Sequence, residues 1–461
     1  MNPKSLETVL DAKAILTDAD RMQAYAIDGV APQAVVKPGT LDEAAEVIKL
    51  ANTDGFTVAI RGGGTKSSIG GLIKKADVVL ATHRLDKIID MDTANLTVTA
   101  QAGVLFDDLQ DLLMGLENRC YFPLDGDLSE TANYMCSDRE YKGAFMPLDP
   151  PLSSKATMGG IVAANSTGPM RMRYRPMRDL ILGVRFISPQ GDIIGMGGKT
   201  VKNVSGYDVS KLMIGSQGCL GVVGEMTIRL LPLPEQTGAM LVSFADVVRA
   251  EAFVTTLLNS KLLPTAVEVL NPAALKITTA ADMAVLAGGL VVAIGQAGVV
   301  EEVTREVADL KAMAKQENAS NVAELDAKDA AAFWRSLGDN SLSQAAIRLK
   351  ANYLFSGYGA FMDEAAKAGD GCAFSISAGS AVSQIAFLKD DADQAAALGE
   401  KLRAKAMELK GALVVEAGTS EFKKSFDVWG PPRSDFALMK HIKTELDPNG
   451  VLNPGRFVGG I

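Results

Sequence analysis

The stretch PLDPPLSSKATMGGIVAANSTG (147–168) decides how this chain is read. Prolines and serines lead into a Gly-Gly pair, and then into small residues closed by Asn165, Ser166 and Gly168. Glycine-rich turns of this kind bring backbone close to a phosphate and offer it N–H donors. Outward from it lie RGGGT (61–65) on one side, and GMGGKT (195–200) and GSQGCLG (215–221) on the other. Any one of these reads equally well as a tight turn. Neither common nucleotide motif explains them. No G-x-G-x-x-G follows a strand, and a P-loop ending in Lys199 would need a glycine where Ile193 stands. Several such loops between Arg61 and Gly221 point instead to one large anionic ligand touching them all, such as a dinucleotide.

The chain has 461 residues, more than one hydrophobic core supports, so at least two domains are expected. With 48% hydrophobic and 22% charged residues it is a globular chain, and disorder is excluded. A net charge of −9 argues against nucleic-acid binding. Two histidines, His83 and His441, and four scattered cysteines (Cys120, Cys136, Cys219, Cys372) cannot supply a histidine-rich metal site or an iron–sulfur ladder. No metal is expected. The unclustered thiols fit a reducing compartment, and the acidic N-terminus is no secretory signal, so a cytoplasmic protein is expected, with membranes reached only through a partner. The uncharged run Met283 to Val300 contains four glycines and Gln296, and LVVAIG within it reads as a buried strand leading into a helix rather than as a membrane span.

TLDEAAEVIKLAN (40–52) carries a capping box, with Thr40 as N-cap and Glu43 three residues on, and Gly55 beyond its end. Strands are expected in TVAIR (57–61), ADVVLAT (76–82) and LTVTAQAG (96–103), and a helix over 104–116. Residues 117–155 lack periodicity and read as a long functional loop. A hairpin in FISPQGDIIGMGG (186–198), a helix around SGYDVSKLMIG (205–215) and a strand in GVVGEMTIRLLPLPE (221–235) follow, the last ended by Pro232 and Pro234. Beyond a boundary near 236, LVSFA, AVEVL, LVVAIG, CAFSIS, SQIAFL and ALVVEA read as strands. Helical patterns lie near 246–260, 299–317, 327–338, 390–409 and 433–446, which makes an α+β layer with antiparallel pairing.

Taken in order, VVKPGTLDEAAEVIKLAN (35–52), RGGGT, the 147–168 stretch, RDLILGV (178–184), KTVKNVSGYDVSKLMIGSQGCLGVVGEMTIRLLP (199–232) and LDPNGVLNPGRF (446–457) resemble the FAD-linked oxidases of vanillyl-alcohol oxidase type. Within that family the likeness is greatest to the flavin subunits of glycolate oxidase and D-lactate dehydrogenase, and to the accessory flavin subunit more than the catalytic one. The resemblance implies a two-subdomain FAD-binding domain over 1–236 with a loop insertion at 117–147, an α+β cap over 237–432, and a segment 433–461 returning to the FAD domain. It implies that Arg61, Gly62, Gly63, Gly64 and Thr65 wrap the pyrophosphate. Asp149, Pro150, Thr157, Gly159, Gly160, Asn165, Ser166 and Gly168 would line the flavin and ribityl chain, and Gly218, Val222 and Val223 would meet the adenine end. Covalent relatives carry histidine at the place of Thr65, so FAD is expected to be non-covalent.

Oxidising a 2-hydroxy acid needs a hydride acceptor, a base for the hydroxyl proton and a cation for the carboxylate. Catalytic members of the family carry a His-Gly motif near the end of the cap, but LVVEAGTSEF (413–422) has none, and no catalytic residue is assigned. The family's cap arginine is also shifted: in FWRSLGDN, Arg335 directly follows Trp334, and Gly338 occupies the expected place. Arg335 is therefore either a carboxylate anchor or a surface residue. Lys202 and Tyr207 in KNVSGYD are candidates to face substrate, with packing as the alternative for Tyr207. His83 and His441 read as structural, and RMRYRPMR (171–178) as either a solvated loop or an anion-docking segment. The insertion 119–146 would cover the flavin or meet a partner, its Cys120 and Cys136 more consistent with free thiols than a disulfide. Two readings result: a flavin subunit passing electrons to an iron–sulfur partner, with a second flavin subunit as a further partner, or a stand-alone FAD-dependent 2-hydroxy-acid dehydrogenase using a non-histidine base.

Overall fold

The computed structural model describes residues 3–116, 119–120, 141–199, 206–278, 289–389 and 391–461. Near the N-terminus, Ala34–Val36, Val78–Ala81 and Val58–Arg61 lie parallel in a four-stranded sheet completed by Ile15–Leu16. The helix Leu41–Asp54 makes the crossover. Its N-cap Thr40 accepts from the Glu43 N–H at 3.1 Å, Gly55 closes it in the left-handed region (φ 69°), and the Glu43 carboxylate reaches back to the Gly39 N–H at 2.6 Å rather than to Thr40. Six of its residues, Leu41 to Ala51 on one stripe, are buried in this subdomain's core.

The second subdomain is a five-stranded antiparallel sheet in the order Ile193–Gly197, Ile181–Ile187, Val222–Arg229, Thr97–Gln101, Ile88–Asp92. Helices Phe106–Met114 and Met158–Ala164 close its core. The expected helix around 205–215 is only Ser210–Met213. The strand after it stops at Arg229. Leu231–Pro232 then pairs with Ala144–Phe145, at a position where a proline without an N–H does no harm. Within the irregular segment, Arg119–Cys120 pairs with Tyr141–Lys142, and 121–140 lies outside the described residues.

The chain from Gln236 onward builds an eight-stranded sheet, antiparallel throughout. Its order is Asn321–Leu325, Gln236–Phe244, Leu290–Gly298, Ala266–Leu270, Ala373–Ser377, Val382–Phe387, Ile347–Asn352, Ala412–Ala417. Side-chain alternation splits each strand between two faces. Val267, Val269, Phe374, Ile376, Leu349, Ala351 and Val415 face one core, under helices Val247–Leu258, Val300–Gln316, Tyr358–Ala366 and Ala392–Glu408. The opposite face packs in part on Pro272–Thr278 and on Ala327–Gln344, a helix longer than expected. Glu268, Ser375, Ser377, Lys350 and Glu416 fall between those inward residues and so belong to this second face, which looks toward the glycine loops. The C-terminal segment returns to the first sheet, where Leu452 bridges Val58.

Strands Asn321–Leu325 and Ile347–Asn352, and helices Pro272–Thr278 and Tyr358–Ala366, were not expected from sequence. IRLKAN hides its pattern because the residues on one face are Arg348, Lys350 and Asn352. Among the described residues no helix is long and apolar enough to cross a membrane. LVVAIG lies in the buried strand Leu290–Gly298 that leads into Val300–Gln316.

Candidate functional site

Three loops close on one cavity. The strand Val58–Arg61 delivers Gly62, Gly63 and Gly64 against the segment 155–157. A Cβ on Gly63 would stand 1.6 Å from the Lys155 carbonyl oxygen, and one on Gly62 would stand 2.0 Å from Thr157 Oγ1. Gly64 turns the chain at φ 76°. Gly218 does the same at φ 68°, where a Cβ would meet Asn453 Nδ2 at 2.6 Å. Asn453 ties the loops together, accepting from the Ile60 N–H at 3.2 Å and donating to the Gln217 carbonyl at 2.8 Å. A bare backbone cradle of this type suits a phosphate-bearing ligand. Arg61, Gly62, Gly63, Gly64, Thr65, Thr157, Gly159, Gly160, Gly218 and Val223 all line this cavity. The Arg61 side chain turns outward instead, donating to the Ala24 carbonyl at 2.6 Å and lying 5.0 Å over the Tyr25 ring, so the loop offers its backbone inward.

A second cavity of about 640 Å³ opens between these loops and the larger sheet, sharing Ala164 and Gln217 with the first. Asn165, left-handed at φ 47°, ends the helix Met158–Ala164 there, and its buried Oδ1 has no hydrogen-bond partner among the described residues. On the sheet side, Glu416 gathers three cations: Arg348 at 2.7 Å, Lys66 at 3.1 Å and Lys350 at 3.8 Å. Burial opposes ionisation of Glu416, but Arg348, Lys66 and Lys350 outweigh it and hold the carboxyl well below its usual range. Burial lowers Lys66 to about 8 against the pull of Glu416, and lowers Lys350 as well. Lys66 and Lys350 alone outnumber that carboxylate, so positive charge gathers beside the cavity.

The second cavity joins a third at Arg171, Ser380 and Val382. Here Asp149 clamps the loop at 168–170: its two oxygens accept the Gly168 and Met170 N–H groups at 2.9 and 2.8 Å. Burial pushes Asp149 up to about 7 despite these donors. Opposite it, on the strand Ala266–Leu270, Glu268 is 4% exposed and accepts from the Ser375 hydroxyl. Burial likewise pushes Glu268 up to about 7, the hydroxyls of Ser375 and Ser377 oppose that shift, and the Asp149 charge adds to it.

Asp149 and Gly168 thus stand in the third cavity, and Asn165 in the second. Pro150 and Ser166 are buried beside them. The other positions fall elsewhere. Val222 points into the first subdomain's core, because strand alternation turns only Val223 toward the cavity. Tyr207 is 92% exposed and faces no cavity. Arg335 is largely solvent-exposed and pairs with Asp107 at 3.2 Å, so it does not reach the site; on its helix the inward neighbours are Trp334, Leu337 and Gly338. Lys202 lies outside the described residues, as do the side chains of Cys120 and Cys136. Cys219 and Cys372 are free and buried. His83 and His441 are both exposed. Of RMRYRPMR, Arg171 lines the site and Arg173 approaches Glu302 at 3.8 Å. Lys66, Arg348, Lys350, Glu268 and Glu416 were missed. The alternation within AVEVL and ALVVEA could have placed their acids on one face, but nothing local shows what that face meets.

A family described as "FAD binding domain" matches residues 32–125 and 139–211, and one described as "FAD linked oxidases, C-terminal domain" matches 233–354 and 374–457. The glycolate oxidase subunit GlcD of Bacillus subtilis (strain 168) is 27% identical over 454 residues, spanning 92% of this chain and 89% of the relative. Subunit GlcE of Escherichia coli (strain K12) is 31% identical over 190 residues, covering 41% of this chain and 46% of the relative. A solved structure of p-cresol methylhydroxylase with substrate bound superposes with a TM-score of 0.70 over 98% of this chain and 95% of the other. At 15% identity that likeness carries the fold alone.

Proposed function

With both domains of that architecture present, the chain belongs to the FAD-linked oxidases and is an FAD-dependent oxidoreductase, and from this premise we propose that it is the flavin subunit of a 2-hydroxy-acid dehydrogenase of glycolate or D-lactate type. FAD supplies a two-electron oxidant able to accept a hydride. The chain fits it: the glycine loops leave bare backbone where side chains would collide, and Asn165 Oδ1 is a buried acceptor needing a donor. Gly62 to Thr65 would take the pyrophosphate and Gly218 and Val223 the adenine end. Residues from Thr157 to Asn165 would run along the ribityl and flavin parts. Among the described residues no histidine or cysteine lines the first cavity, and in this reading the cofactor is non-covalent.

The observation that carries the substrate class is the buried positive charge on the sheet face turned to the FAD loops: Lys66 and Lys350 share Glu416, and Arg171, near enough to Lys350 to lower it, adds a charge with no carboxylate in ion-pair contact among the described residues. A carboxylate ligand would balance that charge, and in a desolvated site such pairing is strong. Among the described residues no cluster of histidines, cysteines and carboxylates could hold a metal. The relatives named as glycolate oxidase subunits support a multi-subunit assembly; in this reading an iron–sulfur partner is the next electron carrier, with a second flavin subunit beside it. The alternative of a stand-alone dehydrogenase with a non-histidine base is favoured by the buried carboxyls of Asp149 and Glu268 lining one cavity.

The test is an anaerobic flavin spectrum of the purified chain with glycolate, D-lactate or D-2-hydroxyglutarate added. Bleaching within seconds is expected. A flavin that stays oxidised with every acid yet is reduced by dithionite would make the chain an electron relay rather than the catalyst.

A further inference from the structure

Converting a 2-hydroxy acid to a 2-oxo acid removes a hydride from carbon, which bound FAD accepts with its electron pair, and a proton from oxygen. With both histidines exposed and away from the cavities, the proton needs another acceptor. Resting on the reading above, the geometry points to Glu268 as the residue that takes the hydroxyl proton, with Arg171 anchoring the substrate carboxylate in the same cavity.

Four observations support this. Glu268 lies on the sheet face directed at the FAD-domain loops, and the short helix Arg171–Tyr174 packs on its strand. Among the described residues lining this cavity, the ionisable side chains are Asp149, Arg171 and Glu268; the rest are apolar, hydroxyl or amide groups such as Trp334, Ser377 and Gln384. Asp149 is committed, since both its oxygens hold backbone N–H groups of the loop. Arg171 is not: among the described residues it has no carboxylate in ion-pair contact and donates to Thr167 Oγ1 at 3.4 Å. It also lines the cavity that adjoins the flavin loops, so a small acid held by it would have its hydroxyl end within this enclosure. In the step itself the O–H bond would break toward the Glu268 carboxylate, while the C–H hydrogen would leave as hydride, with its electron pair, for the two-electron acceptor that bound FAD supplies. The carbon–oxygen bond becomes a carbonyl, and Glu268 later releases the proton to solvent. A carboxyl raised toward neutrality by burial and by Asp149 is a stronger base than an ordinary glutamate.

FAD-loaded wild type, E268Q and E268D would be mixed anaerobically with D-lactate or glycolate from pH 5 to 9. Binding of the unreactive dicarboxylate oxalate would be read from the flavin spectrum, and the carboxyl stretch of the apoprotein from infrared pH titration. Wild-type reduction is expected to rise with pH through an ionisation near 7. E268Q should lose on the order of 100-fold or more in rate and the pH rise with it. Oxalate binding should stay within about threefold, as expected when the carboxylate anchor is untouched. Of the two protonated-carboxyl bands titrating near neutrality, that of Asp149 should remain in E268Q and that of Glu268 disappear, and E268D should recover part of the rate. An E268Q protein that keeps the pH rise, or loses less than about tenfold in rate, overturns the assignment alone. A wild type that no 2-hydroxy acid reduces overturns the substrate reading and the assignment together.

Discussion

Glu268 and Glu416 are both buried glutamates on one sheet face, and their surroundings send them in opposite directions. Glu416 has three cations and stays ionised, whereas Glu268 has two serine hydroxyls and a neighbouring carboxyl. Glu268 therefore affects stability as well as chemistry. Unfolded, it ionises near 4.5; folded, burial holds it up at about 7. Between those values the native state binds the proton more tightly, so stability falls as pH rises from 4.5 to 7 and remains lowered above. E268Q removes that loss. Thermal unfolding should find it indistinguishable from wild type at pH 4 and more stable at pH 8, by up to about 3 kcal/mol. Equal melting at pH 8 would show that Glu268 ionises without cost.

The glycine loops act as elements, not as single residues. They are legible in sequence because tight backbone approach excludes every side chain, and the positions of RGGGT, MGG and GSQGCLG could be read directly. Gly63 is the sharpest case, since a methyl there would overlap a backbone carbonyl that no rotamer can move. Gly63→Ala should yield protein largely lacking flavin absorbance, with added FAD binding at least about tenfold more weakly, as measured by fluorescence quenching. Near-normal FAD content would show that the 61–65 and 155–157 loops can separate. The strand Ile347–Asn352 went unread for the opposite reason. Its polar alternate residues resemble a solvated edge until Val382–Phe387 and Ala412–Ala417 pair on either side of it.

Distant parts of the whole molecule are fastened by a buried knot around Asp28. Its carboxylate accepts from Lys423 and Arg456, each at 2.7 Å, and Arg456 also donates to the Ser67 carbonyl at 2.6 Å beside the 61–65 glycine loop. One side chain thus joins the N-terminal segment, the larger-sheet half and the C-terminal return. Asp28→Asn leaves two buried cations without a counter-charge and should cost about 3–5 kcal/mol in urea unfolding, with loss of bound FAD on the same transition. A loss below about 1 kcal/mol would mean that the cations find solvent instead. By itself the sequence determined the α+β class, the glycine loops and most strand and helix positions, because these follow from local patterns: glycines where the backbone must come close, alternation and caps elsewhere. Only the tertiary structure decided the site beyond the cofactor. Lys66, Arg171, Glu268, Arg348, Lys350 and Glu416 are spread over 350 residues of chain, and burial and mutual approach, which no local pattern encodes, give them their charge states.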